Sequence, residues 1–152
     1  MTKVDFYILP ADSVEQRHLF ACRLAEKAYK LGNHIYIHSD DHAQANTLDQ
    51  LLWSWRKGSF VPHQVAPASP PPPINHELPA DIVIGFGDGA NISPRHNDLL
   101  INLSNNVPDF FSRFERVSEI VVQEPAITKA TRTSFRFYRD RGYPLNTHDL
   151  RN

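Results

Sequence analysis

Hydrophobic positions in this chain fall into short blocks whose period changes along the sequence. Val4 to Leu9 (Val-Asp-Phe-Tyr-Ile-Leu) is nearly all apolar and closes at Pro10, which predicts a buried strand. Leu19, Ala21, Cys22, Ala25, Ala28 and Tyr29 then recur at helical intervals up to Gly32, behind a Ser13 placed three residues before Gln16 as in a capping box. That spacing predicts a helix of about four to five turns. Ile35-Tyr36-Ile37 reads as a second strand, and Asp41 with Gln44 opens a second helix that carries Ala45, Leu48, Leu51 and Leu52 as far as Trp53. Further on, Asp81-Ile-Val-Ile, Leu99-Leu-Ile-Asn-Leu and Glu119-Ile-Val-Val return to strand. Asp109 to Arg116 reads as helical after Pro108, and Pro125 starts a long helix that ends near Gly142. Strands separated by helices of this length favour parallel pairing, so the expected class is α/β, an open and mostly parallel sheet flanked by helices.

A length of 152 residues is enough for one core and too short for two catalytic domains, so a single domain over 1–152 is expected. Residues 67–73, Pro-Ala-Ser-Pro-Pro-Pro-Pro, cannot donate ladder hydrogen bonds and prefer extended polyproline geometry, which makes them a stiff connector within it. With 41% hydrophobic and 22% charged residues, the composition is that of a chain that folds. No apolar run exceeds four residues, far short of the roughly 20 that span a bilayer. The first residues also lack the basic-then-apolar order of a secretory signal. No membrane association is expected, and a single Cys22, unable to form an internal disulfide, fits a reducing cytoplasm.

Catalytic and cofactor patterns are missing where they would be sought. Gly85-Phe-Gly87-Asp-Gly89 follows a strand, as a phosphate-cradling turn would, but its spacing is neither G-x-G-x-x-G nor that of a P-loop, so a plain glycine turn is expected. His34, His38 and His42 are spaced four apart, yet the first two flank a strand and the third starts a helix, which suits ordinary, partly exposed histidines better than metal ligands. Ser54-Trp-Arg-Lys57 spells S-x-x-K without the partner motifs of serine acyl-transfer enzymes. Cys22 lies on the apolar stripe of the first helix, where a thiol is inert. No catalytic residue, metal or cofactor is expected.

Two surface features remain. Leu52, Trp53, Phe60, Val61 and Pro62 concentrate bulky apolar groups at a helix end and in the Gly/Pro-containing loop after it, where they cannot all point inward. The second is electrostatic. A formal net charge of −1 hides an asymmetry, because from residue 125 onward six basic residues stand against two acidic ones, leaving +4 there and −5 on the first 124 residues. Duplex binding over the whole surface would need many more cations on one face. On the predicted last helix Lys129, Arg132, Arg136 and Arg139 fall within roughly 80° of arc with Phe135 at the edge. Few acidic residues are spaced to pair with them, so the strip suits an acidic peptide with an apolar anchor or a short single-stranded nucleic acid.

Several blocks of the chain resemble one family. The Val-Asp-Phe-Tyr-Ile-Leu strand, Leu48-Asp-Gln-Leu-Leu-Trp53, Ser59-Phe-Val-Pro-His63, and the closing Arg136-Phe-Tyr138-Arg with Gly142-Tyr-Pro-Leu-Asn146 are similar, in this order, to the chi subunit of bacterial DNA polymerase III. The resemblance implies an open α/β fold like that of nucleotide-binding domains but without a phosphate loop. It also implies a clamp-loader accessory subunit with no activity of its own, acting in DNA replication. Its expected partners are the psi subunit, in a heterodimer, and the acidic C-terminal tail of single-stranded-DNA-binding protein, so that DNA is reached indirectly. By the same resemblance the family's aromatic partner surface falls on Trp53 and Phe60 and its tail-binding residues on Arg132, Phe135 and Arg136; joined to the apolar block and the basic strip, these place the expected psi surface on Leu52, Trp53, Phe60, Val61 and Pro62 and the expected tail site on Lys129, Arg132, Phe135, Arg136 and Arg139. The family's first tail-binding lysine aligns with Thr128, with Lys129 one residue later and about 100° round the helix. A module that binds single-stranded nucleic acid directly is the alternative.

Overall fold

In the computed structural model, which describes residues 1–54, 62–65, 81–89, 92 and 96–151, the helix starts follow the capping chemistry of the sequence. Ser13 Oγ accepts the Gln16 amide at 3.2 Å and begins α1 (Val14–Lys30). Asp41 Oδ1 accepts the Gln44 amide at 2.8 Å while Gln44 Oε1 accepts the Asp40 amide at 2.7 Å, and α2 (His42–Ser54) follows. Glu124 caps α3 (Pro125–Asp140) by accepting the Ile127 amide at 3.0 Å, with Pro125 in the first turn where its missing N–H costs nothing.

The strands are β1 (Lys3–Ile8), β2 (Ile35–Ser39), β3 (His63–Val65), β4 (Ile82–Phe86), β5 (Leu99–Asn102), β6 (Arg116–Val121) and β7 (Leu145–Asp149). They form one sheet in the order β3-β4-β2-β5-β6-β1-β7, and each neighbouring pair is parallel. The sheet is thus wholly parallel among the described residues, where a mostly parallel one was expected. Alternate side chains go to opposite faces. Ile35, Ile37, Ile82, Ile84, Ile101 and Ile120 pack under Ala21, Cys22 and Ala25 of α1 and Leu48 and Leu52 of α2. Val4, Phe6, Tyr36, Leu100, Val117 and Val121 pack on the other face with Tyr138 of α3 and Phe110, Phe111 and Phe114. Both faces being covered explains why the strands read as continuous apolar runs rather than alternations.

Three readings need correction. Residues 109–116 are not a helix. Only Phe111–Arg113 forms a single 3₁₀ turn, because Phe110, Phe111 and Phe114 are all buried against the sheet and Glu115 and Arg116 already bond to Asn97 and Asp98 ahead of β5. The strand expected from Glu119 begins at Arg116 for the same reason. Two strands were not foreseen, β3 and β7, both on sheet edges and both short of apolar residues. The proline run 67–73 lies outside the described residues.

Gly85 belongs to β4 rather than to the turn, and a Cβ there would collide with the Tyr36 ring of β2. Gly85 therefore serves close packing, while Gly87 and Gly89, both at positive φ, serve the turn after β4. Gly142, at φ 78°, stops α3 in the left-handed conformation. The Tyr143 amide then donates to Tyr138 O at 3.1 Å, and Pro144 O accepts from Val4, which delivers the chain into β7 beside β1. Among the described residues no helix is long and apolar enough to cross a membrane.

Candidate functional site

The seat of α3 is polar at its centre. Ile127, Ser134 and Tyr138 face the sheet, and the Tyr138 hydroxyl donates to Glu119 Oε2 of β6 at 2.8 Å. Asn102 Nδ2 of β5 donates to the same oxygen at 2.9 Å, and the Asn102 Oδ1 in turn accepts from Ser104 Oγ at 2.7 Å. Burial pushes the Glu119 carboxyl up to about 7 against these two donors, and burial with the nearby carboxylate pushes the Tyr138 phenol up as well. From the opposite face Arg17 donates to Ile120 O at 2.8 Å and Leu103 O at 3.1 Å, and its charge favours the ionised form of Glu119. Tertiary bonds thus fix α3 in rotation, and with it the direction of its exposed side.

Between α3 and strands β1, β6 and β7 lies an open cleft of about 230 Å³. Phe6, Ile8, Val121 and Phe135 give it an apolar lining; Gln123, Thr128, Thr131 and Thr147 add neutral polar groups, and Arg132 and Arg151 add charge. Phe135 is half-buried, its ring 5.3 Å from that of Phe6. Of the five residues expected on this strip, Arg132 and Phe135 line the cleft. Lys129, Arg136 and Arg139 are exposed on the helix but do not line it. Arg139 is turned to Asp140 at 3.2 Å, whereas among the described residues no ion pair takes Lys129, Arg132 or Arg136. Thr128, not Lys129, faces the cleft. Sequence reasoning missed the strand side of the cleft, Phe6, Ile8, Val121, Gln123, Thr147 and Arg151. Phe6, Ile8 and Val121 lie on strands that the sequence does show, but what joins them to the basic strip is the last parallel strand, which carries Thr147 and leads to Arg151 and is hidden by its polar sequence.

At the far side of the sheet, the last turn of α2 carries Trp53, which is 54% exposed. Its ring lies 4.5 Å from that of His63 in β3, and His63 Nε2 is 3.2 Å from Asp49 Oδ1, so the indole rests on a histidine held to its own helix. Pro62 is exposed, and Phe60 and Val61 lie outside the described residues. Leu52 is corrected: it is 1% exposed and belongs to the core beneath α2, because the helix turns its 45–48–52 stripe inward and leaves Trp53 outside.

The remaining candidates are structural. His34 bonds to Asp98 through its amide at 2.8 Å and its ring at 3.2 Å. His38 is buried within β2 rather than flanking it, and burial lowers its pKa to about 4. Among the described residues no three His, Cys, Asp or Glu side chains are grouped to hold a metal. The buried Cys22 thiol is pushed up to about 12, far from a reactive thiolate. Ser54 Oγ is bonded to Gln50 O of its own helix, and Lys57 lies outside the described residues.

The family model described as "DNA polymerase III chi subunit, HolC" matches residues 1–146. The chain is 45% identical over 150 residues to the DNA polymerase III subunit chi of Pseudomonas aeruginosa, covering 99% of this chain and 98% of that one. It is 30% identical to the protein of the same name from Escherichia coli K12, covering 97% of each. Among solved structures, T4 UvsW matches 98% of this chain and 41% of its own with a TM-score of 0.66 at 8% identity, a likeness of fold alone.

Proposed function

The chain belongs to the DNA polymerase III chi subunit family, and on that premise we propose that it is a non-catalytic accessory subunit of the clamp-loader complex that works in the cytoplasm. In this reading it pairs with the psi subunit through Trp53, Phe60, Val61 and Pro62, and it holds the acidic C-terminal tail of single-stranded-DNA-binding protein in the α3 cleft. DNA is then reached through that protein rather than by direct contact. The observation that carries the reading is the cleft itself, an apolar floor flanked by guanidinium groups.

Such a floor accepts the side chain of a terminal apolar residue, and Arg132 meets a carboxylate with a two-pronged fork. Lys129 and Arg136, exposed outside the cleft, raise the local potential that attracts an acidic chain without touching it, while Arg139 is offset by its partner Asp140. The test is a titration of the full chain with a synthetic peptide carrying several aspartates and a C-terminal phenylalanine, alone and with a single-stranded oligonucleotide as competitor. Peptide binding that is lost when the terminal phenylalanine is replaced by alanine supports the reading. Oligonucleotide binding with no response to peptide would replace it with direct nucleic-acid binding.

A further inference from the structure

Arg132 stands on the helical wall of the cleft, and Arg151, just beyond β7, lines it from the strand side. The Leu150 amide donates to Ile8 O at 2.8 Å, which fixes the chain against β1 immediately before Arg151. Unlike Arg132, Arg151 is already occupied. Its Nε donates to Asp149 Oδ1 at 2.9 Å and its Nη2 to Asp149 Oδ2 at 2.7 Å, so the Nε/Nη2 edge of the guanidinium is filled by a carboxylate of the chain's own. The Arg151 amide adds a third bond to Asp149 Oδ1 at 3.1 Å. These donors hold the Asp149 carboxyl down at about 2.

The pair is exposed, 50% on the arginine side chain and 44% on the aspartate. Exposed ion pairs are weak and exchange readily. A carboxylate that takes the Nε/Nη2 edge of Arg151 must displace Asp149 from it, and one that takes the remaining Nη1/Nη2 edge is still opposed by the Asp149 charge. Resting on the tail-binding reading above, we propose that Arg151 is a second carboxylate-binding residue of the α3 cleft, and that Asp149 is its built-in competitor, displaced when an acidic peptide enters. The cleft would then require two acidic groups on its ligand, one for each wall, with the apolar anchor between them.

The experiment measures anisotropy of a fluorescent peptide with three aspartates and a C-terminal phenylalanine at low salt, using the full chain. Arg151→Ala should weaken binding about fivefold and Asp149→Asn should strengthen it about threefold, while Asp149→Asn in the Arg151→Ala background should change little, since coupled residues are non-additive. Both residues are exposed, so these variants keep the fold. If Arg132→Ala weakens the peptide and Arg151→Ala does not, the assignment of Arg151 is overturned. An unchanged affinity in Asp149→Asn overturns the competitor role, as does an equal gain in the Arg151→Ala background. If the parent chain fails to bind, or Arg132→Ala binds as the parent does, the tail-binding reading itself fails and this inference with it.

Discussion

At the end of α2, Trp53 is exposed over 54% of its surface and rests on a histidine paired with Asp49. Beside α3, Phe135 is half-buried on Phe6 and exposed cations, Lys129, Arg132 and Arg136 among them, stand round it. The difference lies in what each surface would gain from a partner. Covering Trp53 removes apolar area from water, which is insensitive to salt. Filling the cleft pairs charges that face solvent, which salt screens over about 10 Å at 0.1 M. On the proposed function, two partners of different chemistry would meet opposite edges of one sheet, the β3 edge and the β7 edge.

The largest expected effect comes from beneath α3. Glu119 is fully buried with its pKa raised from 4.5 to about 7, so the folded chain binds the extra proton between those values. Its contribution to stability is complete below about 4.5 and is lost as pH rises through about 7. By the pKa difference this is on the order of 3 kcal/mol. His38 runs the opposite way, its lowered pKa costing stability as pH falls from about 6.5 towards 4. Urea midpoints of Glu119→Gln and the parent, taken at pH 5 and pH 8, cancel the histidine and isolate the carboxylate. The variant should gain on the parent by about 2.5 kcal/mol between the two conditions; parallel changes would mean that Glu119 ionises freely in the folded state.

A somewhat smaller effect is expected at the α2 end. Trp53→Ala should weaken psi binding at least tenfold, about 1.4 kcal/mol or more, while its melting temperature and its affinity for the acidic peptide stay as in the parent. Loss of peptide binding in this variant would show the two surfaces to be one. Smallest is the salt contrast. Between about 0.05 M and 0.3 M salt the peptide affinity should fall several-fold and that for psi much less. Equal slopes would erase the distinction drawn from Trp53 and Arg132.

The two surfaces were legible in the sequence to different depths. Trp53 and the outward strip of α3 follow from helical periodicity, since a residue beside a buried stripe must point out. The same periodicity places Leu52 in that stripe, and grouping it with Trp53 by adjacency alone set it on the wrong side of the helix. The core strands were visible because both faces are covered and nearly all their residues are apolar. β7 was not, because Leu-Asn-Thr-His-Asp is an exposed edge whose strand state comes from pairing with β1 rather than from its own pattern. The cleft needs β7 for Thr147 and for the position of Arg151, so its helical half could be read and its strand half could not. Asp109 to Arg116 failed for a related reason: burial of Phe110, Phe111 and Phe114 on the sheet overrides a local helical pattern.

On the proposed function the cleft, rather than basic charge along α3 in general, receives the acidic tail. Arg132 lines it and Arg136, one turn on, does not, although both are exposed and neither is ion-paired among the described residues. Peptide titrations of Arg132→Ala and Arg136→Ala at low salt, side by side, separate contact from mere charge. The account predicts a loss of about 1 to 3 kcal/mol for Arg132→Ala and under about 1 kcal/mol for Arg136→Ala. Equal losses at the two positions, or a larger one at Arg136, would contradict it.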